Sequence, residues 1–164
     1  MESQVLCRMP PTDKEIERKF LLRALPDRAR SAPSLEVDQG YLPGTRINER
    51  IRRTKSGEGT KFFRTIKTGS GIERLEIEEE TNEEFFTAVW PLTRGARVYK
   101  RRYLVPEGAV VWEIDEFLDR SDLWLAEVEL ESADQVVEIP SWLSAVLDRE
   151  VTDDPRYTNH SLAR

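Results

Sequence analysis

The sequence is short of the residues from which many small sites are built. It has one cysteine, Cys7, and one histidine, His160. A lone cysteine excludes an internal disulfide framework. The lack of Cys/His clusters argues against a zinc site. No Ser-His-Asp or Cys-His constellation is visible, so no protein nucleophile is expected. No apolar run approaches a membrane span, and none near Met1 has the form of a signal peptide. A soluble, cytoplasmic protein without a membrane partner is therefore expected. No Gly/Ser linker or low-complexity segment divides the chain. A basic excess is missing too: the net charge is −6, which argues against a general nucleic-acid binder.

What is present is charge of both signs. Charged residues make up 34% of the 164 residues and hydrophobic residues 38%. That is enough apolar material for one domain, with charge above the usual quarter. Met1 to Thr12 is polar with a Pro-Pro pair and reads as a flexible arm before a single domain over 13–164. The stretch DKEIERKFLLR at Asp13 to Arg23 places Glu15, Glu17 and Lys19 two residues apart, on one face of a strand. Pairs at that spacing recur at Arg50 and Arg52, Glu76 and Glu78, Lys100 and Arg102, Glu113 and Asp115, and Glu127 and Glu129.

The strand pattern is mostly antiparallel. Strands are expected over about Lys14 to Leu22, Glu36 to Leu42, Arg46 to Thr54, Lys61 to Thr68, Ile72 to Glu80, Arg97 to Val105, Ala109 to Phe117 and Leu123 to Glu131, the last clear strand. The loops KSGEG and PEG make two hairpins. Asn82 is a good N-cap for a helix over Glu83 to Trp90. One helical turn is expected between Leu25 and Leu35, and short helical pieces near Ser141 to Leu147 and Thr158 to Leu162.

Opposite the charges stand Ile16, Ile51, Ile66, Leu75, Ile77, Trp112, Ile114, Trp124, Val128 and Leu130. That apolar face must be covered by helices and loops. Closing about eight strands satisfies the edges and leaves room for side chains and a small ligand. The expected fold is α+β, predominantly antiparallel β: a closed eight-stranded barrel with a charged lumen and helices packed outside.

Two carboxylates about 4 Å apart repel by roughly 4 kcal/mol at an effective dielectric near 20. The acidic set is Glu15, Glu17, Glu76, Glu78, Glu113, Asp115, Glu127 and Glu129. It needs counter-charge, from facing cations or from Mg²⁺ or Mn²⁺. The basic set is Lys19, Arg50, Arg52, Lys67, Arg74, Lys100 and Arg102, and it suits phosphate oxygens. Both sets side by side suit a metal–polyphosphate complex. One such pair alone reads as a solvated face; repetition over six or more strands favours a site. Lys55, Glu58, Glu107 and Asp134 keep the solvated reading.

The ordered motifs resemble the CYTH superfamily, or triphosphate tunnel metalloenzymes. They are EIERK at Glu15 to Lys19, QGYL at Gln39 to Leu42, RIR at Arg50 to Arg52, TIK at Thr65 to Lys67 and RLEIE at Arg74 to Glu78. KRRY at Lys100 to Tyr103, WEID at Trp112 to Asp115, LAEVEL at Leu125 to Leu130 and EVTDDPRYTN at Glu150 to Asn159 follow. The likeness is to short single-domain bacterial members.

That resemblance implies a tunnel for a linear triphosphate or nucleoside triphosphate, with Mg²⁺ or Mn²⁺. It implies hydrolysis of tripolyphosphate to pyrophosphate and phosphate, by a monomer or homodimer. The alternatives in the superfamily are a class IV adenylate cyclase, another nucleoside or thiamine triphosphatase, or a non-catalytic polyphosphate-binding module. By position, Lys19, Arg50, Arg52, Lys67, Arg74, Lys100 and Arg102 resemble the phosphate-binding set. The eight carboxylates named above resemble the acidic set, some ligating metal and others orienting basic residues. Lys19, Tyr41, Glu78 and Glu129 are the candidates for the reacting centre, Tyr41 resembling a tyrosine that contacts the motif lysine.

Arg46 and Arg53 compete for the register of RINERIRR; Arg50 and Arg52 are chosen because Ile51 then takes the apolar face. Asp153 and Asp154 either approach the tunnel mouth or form a turn. His160 reads as a surface or capping residue, Cys7 as inert, and the four tryptophans as packing under helices.

Overall fold

The computed structural model describes residues 12–44, 47–68 and 73–164. The expected arm with Cys7, over residues 1–11, lies outside the described residues, as does Arg46. Thr12, read as part of the arm, already belongs to the first strand.

That strand, β1 (Thr12–Leu22), leads through α1 (Asp27–Arg30) to β2 (Ser34–Tyr41). Two hairpin strands follow, β3 (Asn48–Ser56) and β4 (Gly59–Thr68), joined across Gly57 and Glu58. Gly59 sits at φ 128°, where a side chain would be strained. Next come β5 (Glu73–Thr81), α2 (Glu83–Val89) and a 3₁₀ turn at Trp90–Thr93. Asn82 caps α2 as expected, its side chain accepting from Phe85 N at 2.8 Å, worth about 1 kcal/mol. A second hairpin pairs β6 (Arg97–Glu107) with β7 (Val110–Phe117), and β8 (Trp124–Glu129) follows. The chain ends with α3 (Ser141–Ser144), β9 (Leu147–Glu150), a 3₁₀ turn at Pro155–Tyr157 and α4 (Asn159–Leu162).

The described strands form one antiparallel sheet in the order β5-β4-β3-β2-β6-β7-β8-β1-β9. β1 is shared. Its first half pairs with β5, opposing Glu15 to Arg74. Its second half pairs with β8, opposing Glu17 to Glu129 and Lys19 to Glu127. β9 adds to its far edge, opposing Phe20 to Glu150. Sequence reading missed β9 and ended the strands at β8. LDRE carries no alternation and little burial, so only pairing with β1 makes it a strand.

The apolar face is covered unevenly. Ile16, Phe20, Trp112, Ile114, Val128 and Leu130 form the main core with Leu25 and Ala29 around α1 and Leu143 of α3. Each such large side chain, fully buried, contributes about 1.5–3 kcal/mol. Phe86 of α2 covers β3 and β4, with its ring 5.4 Å from Phe62 and stacked on Trp90 at 4.9 Å. Among the described residues, nothing comparable covers β4 and β5 lower down. Ile66 and Ile77 are half-buried and Leu75 is 42% exposed, so the expected cover stops short of that corner. Of the tryptophans, Trp112 is fully buried, while Trp90, Trp124 and Trp142 pack at the margins. Among the described residues, no helix is long and apolar enough to cross a membrane.

Candidate active site

The charged face of the sheet borders a cavity of about 1080 Å³. Alternation places the charges there, and it also ends them. On β1 the side chains of that face run Glu15, Glu17, Lys19, then Leu21. On β6 they run Arg102, Lys100, then Val98; on β7, Glu113, Asp115, then Phe117; on β8, Glu129, Glu127, then Leu125. Val98, Phe117 and Leu125 pack with Val151 and Leu162 of the C-terminal segment. That end of the charged face therefore finishes in an apolar floor.

The wall of β6, β7 and β8 is tightly paired. Asp115 is fully buried and holds two cations. Arg102 donates to it from Nε and from Nη2, both at 2.7 Å, and Lys100 Nζ donates at 2.6 Å. Arg102 Nη2 also reaches Glu127 at 2.7 Å, and Nη1 bonds Glu113. Lys19 Nζ lies 2.9 Å from Glu127 Oε1, off the hydrogen-bonding direction. Burial lowers the Lys100 pKa to about 8, with help from Arg102 and against Asp115. Burial would raise Glu127, but Lys19, Arg102 and Lys100 together hold it well below the usual carboxylate range. Glu113 goes the other way: burial and its acidic neighbours raise it despite Arg102.

The wall of β3, β4 and β5 is looser. Arg50 Nη2 reaches Thr65 Oγ1 at 3.0 Å, Glu78 at 3.2 Å and Glu76 at 3.3 Å. Arg52 Nη2 reaches both oxygens of Glu78 at 2.9 Å. The Nε atoms of both arginines are buried without a hydrogen-bond partner. Burial and the Arg50 charge lower Arg52 to about 10, against Glu78. Lys67 Nζ bridges Glu76 at 2.7 Å and Glu15 at 2.8 Å. Burial, with a hydrogen bond to Glu76, raises Glu15. Burial works against Glu76 too, but the bond with Glu15 and the Lys67 and Arg50 charges bring it down. Arg53 lies on the other face, its Nε donating to Asp38 at 2.9 Å beside the Phe86 ring. The choice of Arg50 and Arg52 over Arg53 matches this register.

The cavity lining includes Glu15, Glu17, Lys19, Tyr41, Arg50, Arg52, Lys67, Glu76, Glu78, Lys100, Arg102, Glu113, Glu127 and Glu129. Two expected residues stand apart. The Arg74 side chain lies outside the described residues. Asp115 sits behind the lining with both oxygens bonded to Arg102 and Lys100, the arrangement of an acidic residue that orients basic ones. Tyr41 Oη accepts from Gln39 Nε2 at 3.2 Å, and burial raises its pKa.

Sequence reading missed Gln39 and Thr65, buried polar side chains that share the faces of Tyr41 and Lys67; parity along their strands was the available signal. Asp153 and Asp154 both line the cavity, and Asp154 also caps the 3₁₀ turn through Arg156 N at 3.1 Å. His160 is exposed, as expected, yet it too borders the cavity, edge-on to Tyr41 at 4.8 Å.

A hard divalent cation fits this donor set. Glu17 faces Glu129 across β1 and β8, and Glu113 faces Glu127 across β7 and β8; like charges so placed need compensation. Among the described residues no three acidic, histidine or cysteine side chains form a ready-made metal cluster. Magnesium binds through one or two carboxylates and completes its shell with substrate phosphates and water, so paired carboxylates suffice.

An inorganic triphosphatase of Nitrosomonas europaea is 40% identical over 156 residues, covering 91% of this chain and 96% of that protein. One from Acetivibrio thermocellus is 34% identical over 155 residues, covering 92% and 94%. The chain belongs to the CYTH-type inorganic triphosphatase family. A crystal structure of the inorganic triphosphatase NE1496 superposes with a TM-score of 0.64 at 36% identity, covering 91% of this chain and 93% of that one. A putative adenylate cyclase from Bacillus halodurans, at TM-score 0.51 and 13% identity over 75% and 83% of the two chains, shares the fold alone. No family model matches the chain.

Proposed function

We propose that this chain hydrolyses inorganic tripolyphosphate to pyrophosphate and phosphate, using Mg²⁺ or Mn²⁺ inside a closed eight-stranded tunnel. Closure is supported by the pairing of β1 with β5 as well as β8. The observation that carries the substrate reading is the convergence of Lys19, Arg50, Arg52, Lys67, Lys100 and Arg102 on one cavity beside its carboxylates. Arginine forks and lysine point charges lining one cavity suit a phosphate chain, whose oxygens both can hold.

Phosphoryl transfer asks mainly for positioning and charge stabilisation. Glu76, Glu78 and Thr65 aim the Arg50 and Arg52 forks. Lys67, Lys100, Lys19 and Arg102 extend the cationic lining around the chain of phosphates. Tyr41 stays protonated and, with Gln39 as its donor, keeps its own hydroxyl proton to give to a phosphate oxygen. Glu17 and Glu129 are the pair best placed to hold the ion. A bound ion would neutralise phosphate oxygens and lower the pKa of a water, so that loss of a proton would leave hydroxide as the nucleophile. Lys19, Tyr41, Glu78 and Glu129 thus surround the reacting phosphate. Residues 13–164 act as one domain, a monomer or homodimer in the cytoplasm, on a small anionic substrate rather than on nucleic acid or membrane.

The test compares tripolyphosphate, ATP and thiamine triphosphate with Mg²⁺ or Mn²⁺, measuring phosphate and cyclic AMP. Phosphate release, fastest from tripolyphosphate, is expected. Dominant formation of cyclic AMP from ATP would overturn the assignment.

A further inference from the structure

The C-terminal segment does more than floor the cavity. It is pinned at both ends. Val151 N donates to Lys19 O at 2.8 Å, and Lys19 N donates to Thr152 Oγ1 at 3.0 Å. Arg97 and Arg164 exchange backbone hydrogen bonds at 2.8 and 2.9 Å. Between these pins the segment offers neutral oxygens to two lysines of the cavity. Lys19 Nζ donates to the Tyr157 carbonyl at 3.4 Å, and Lys100 Nζ to Asn159 Oδ1 at 3.1 Å.

Lys100 shows why the second contact matters. Its stem is buried and its ammonium has three donors. Asp115 takes one and Asn159 another. Asp115 lies behind the cavity lining and Asn159 lies in it. A single carboxylate would leave the ammonium free to turn about one bond. A second acceptor from another element fixes it, and the remaining N–H, at the tetrahedral angle to both bonds, is left for a further acceptor. The acceptor is an amide, so it orients the charge without neutralising it. A carboxylate there would compete with a phosphate oxygen for the same cation.

We infer that Asn159 is a positioning residue for tripolyphosphate binding: held across the cavity by the pinned C-terminal segment, it aims the Lys100 ammonium at the substrate. This rests on the reading of the cavity as a triphosphate site. It makes the C-terminal segment part of the binding machinery, although the segment supplies no charge to the Lys100 contact.

The experiment is a double-mutant cycle read by calorimetric binding of a non-hydrolysable tripolyphosphate analogue with Mg²⁺. Asn159→Leu removes the acceptor, Lys100→Met removes the ammonium, and the third variant carries both. Asn159→Leu alone is expected to weaken binding about tenfold, the size of one hydrogen bond to a charged group. In the Lys100→Met background the same change should weaken binding less than twofold, since residues acting through one contact are non-additive. Asn159→Asp should weaken binding more than Asn159→Leu. Equal effects of Asn159→Leu in both backgrounds would overturn the inference, because a merely structural residue acts independently of Lys100. If Asn159→Leu does not fold, Asn159→Ser, which keeps a polar helix start but falls short of Lys100, is run through the same cycle with the same criteria. No binding by the parent protein would instead overturn the triphosphate reading itself.

Discussion

The two walls of the cavity carry the same residue types and use them differently. On β6 to β8, Asp115 is sealed in and its oxygens are spent on Lys100 and Arg102. On β3 to β5, Glu78 is only partly buried, and the arginines that it holds keep buried Nε atoms without partners. One wall is the more fully paired, although Glu127 Oε1 there is buried without a hydrogen-bond partner. The other is a network with donors left over. A buried pair costs several kcal/mol per ion in desolvation and needs its partners in place. A site that must grip an anion needs the opposite, donors held still but not consumed. The molecule thus commits more of its charge to framework on one wall than on the other, while Lys100 of the tighter wall still borders the cavity.

The sharpest way to break that contrast is to remove the anchor of the tighter wall. Asp115→Ala leaves Lys100 and Arg102 buried with one fewer anion. Losing one partner of a buried pair costs about 3–5 kcal/mol, or on the order of 10 °C in melting midpoint for a domain of this size. Glu78→Gln on the looser wall should cost less than half of that in a parallel thermal melt. Equal losses would show that the two walls do not differ.

Next in size is a loss of binding without a loss of stability. Arg52→Ala should weaken a non-hydrolysable tripolyphosphate about tenfold to a hundredfold, from one or two charge-assisted contacts. Its melting midpoint should stay within about 2 °C of the parent. A large drop in midpoint with unchanged affinity would make Arg52 framework.

A smaller effect comes from pH. The Lys100 pKa is lowered to about 8 in the fold, against an ordinary value near 10.4. The ammonium that grips phosphate is complete below pH 8 and lost above it, so tripolyphosphate affinity should fall as pH rises through 8. Stability moves the other way. The folded state disfavours the charged form, so the penalty is full below about pH 8 and is relieved between pH 8 and 10. Titrating affinity and midpoint together checks the opposed signs. Lys100→Arg, which stays charged, should flatten both; a parent protein in which the two move together would remove Lys100 from the account.

The smallest expected effect is the control. Glu58→Gln, in the β3–β4 turn, should change neither midpoint nor affinity, within about 0.5 kcal/mol. A measurable loss there would mean that charge anywhere on the chain serves the site.

Much of this was legible in the sequence. Period-two charge put Glu15, Glu17 and Lys19 on one face, and Ile51 fixed which arginines of RINERIRR turn inward. What parity cannot tell is depth. Asp115 and Glu113 share a face, yet one is sealed behind Lys100 and Arg102 and the other borders the cavity. That depends on how far along the strand the C-terminal floor reaches, a tertiary fact. β9 was illegible for a related reason, since LDRE is a strand only because β1 offers it an edge. The exposure of Leu75 among the described residues was missed because an apolar face shows the need for cover without naming the element that supplies it.

The sharing of β1 has a consequence for how the chain is made. Its partners lie at residues 73–77, 124–129 and 147–150. β1 is made before all three of its partners and is thus among the last strands to be fully paired. Distant pairings form slowly, and a waiting strand is a template for aggregation. β1 waits with Glu15, Glu17 and Lys19 on one face and Arg18 on the other, charges of the kind that keep unpaired edges from joining. The residues that later face the phosphates act earlier as gatekeepers of the nascent chain. Neutralising them should lower the yield of soluble protein before any assay of turnover can be run.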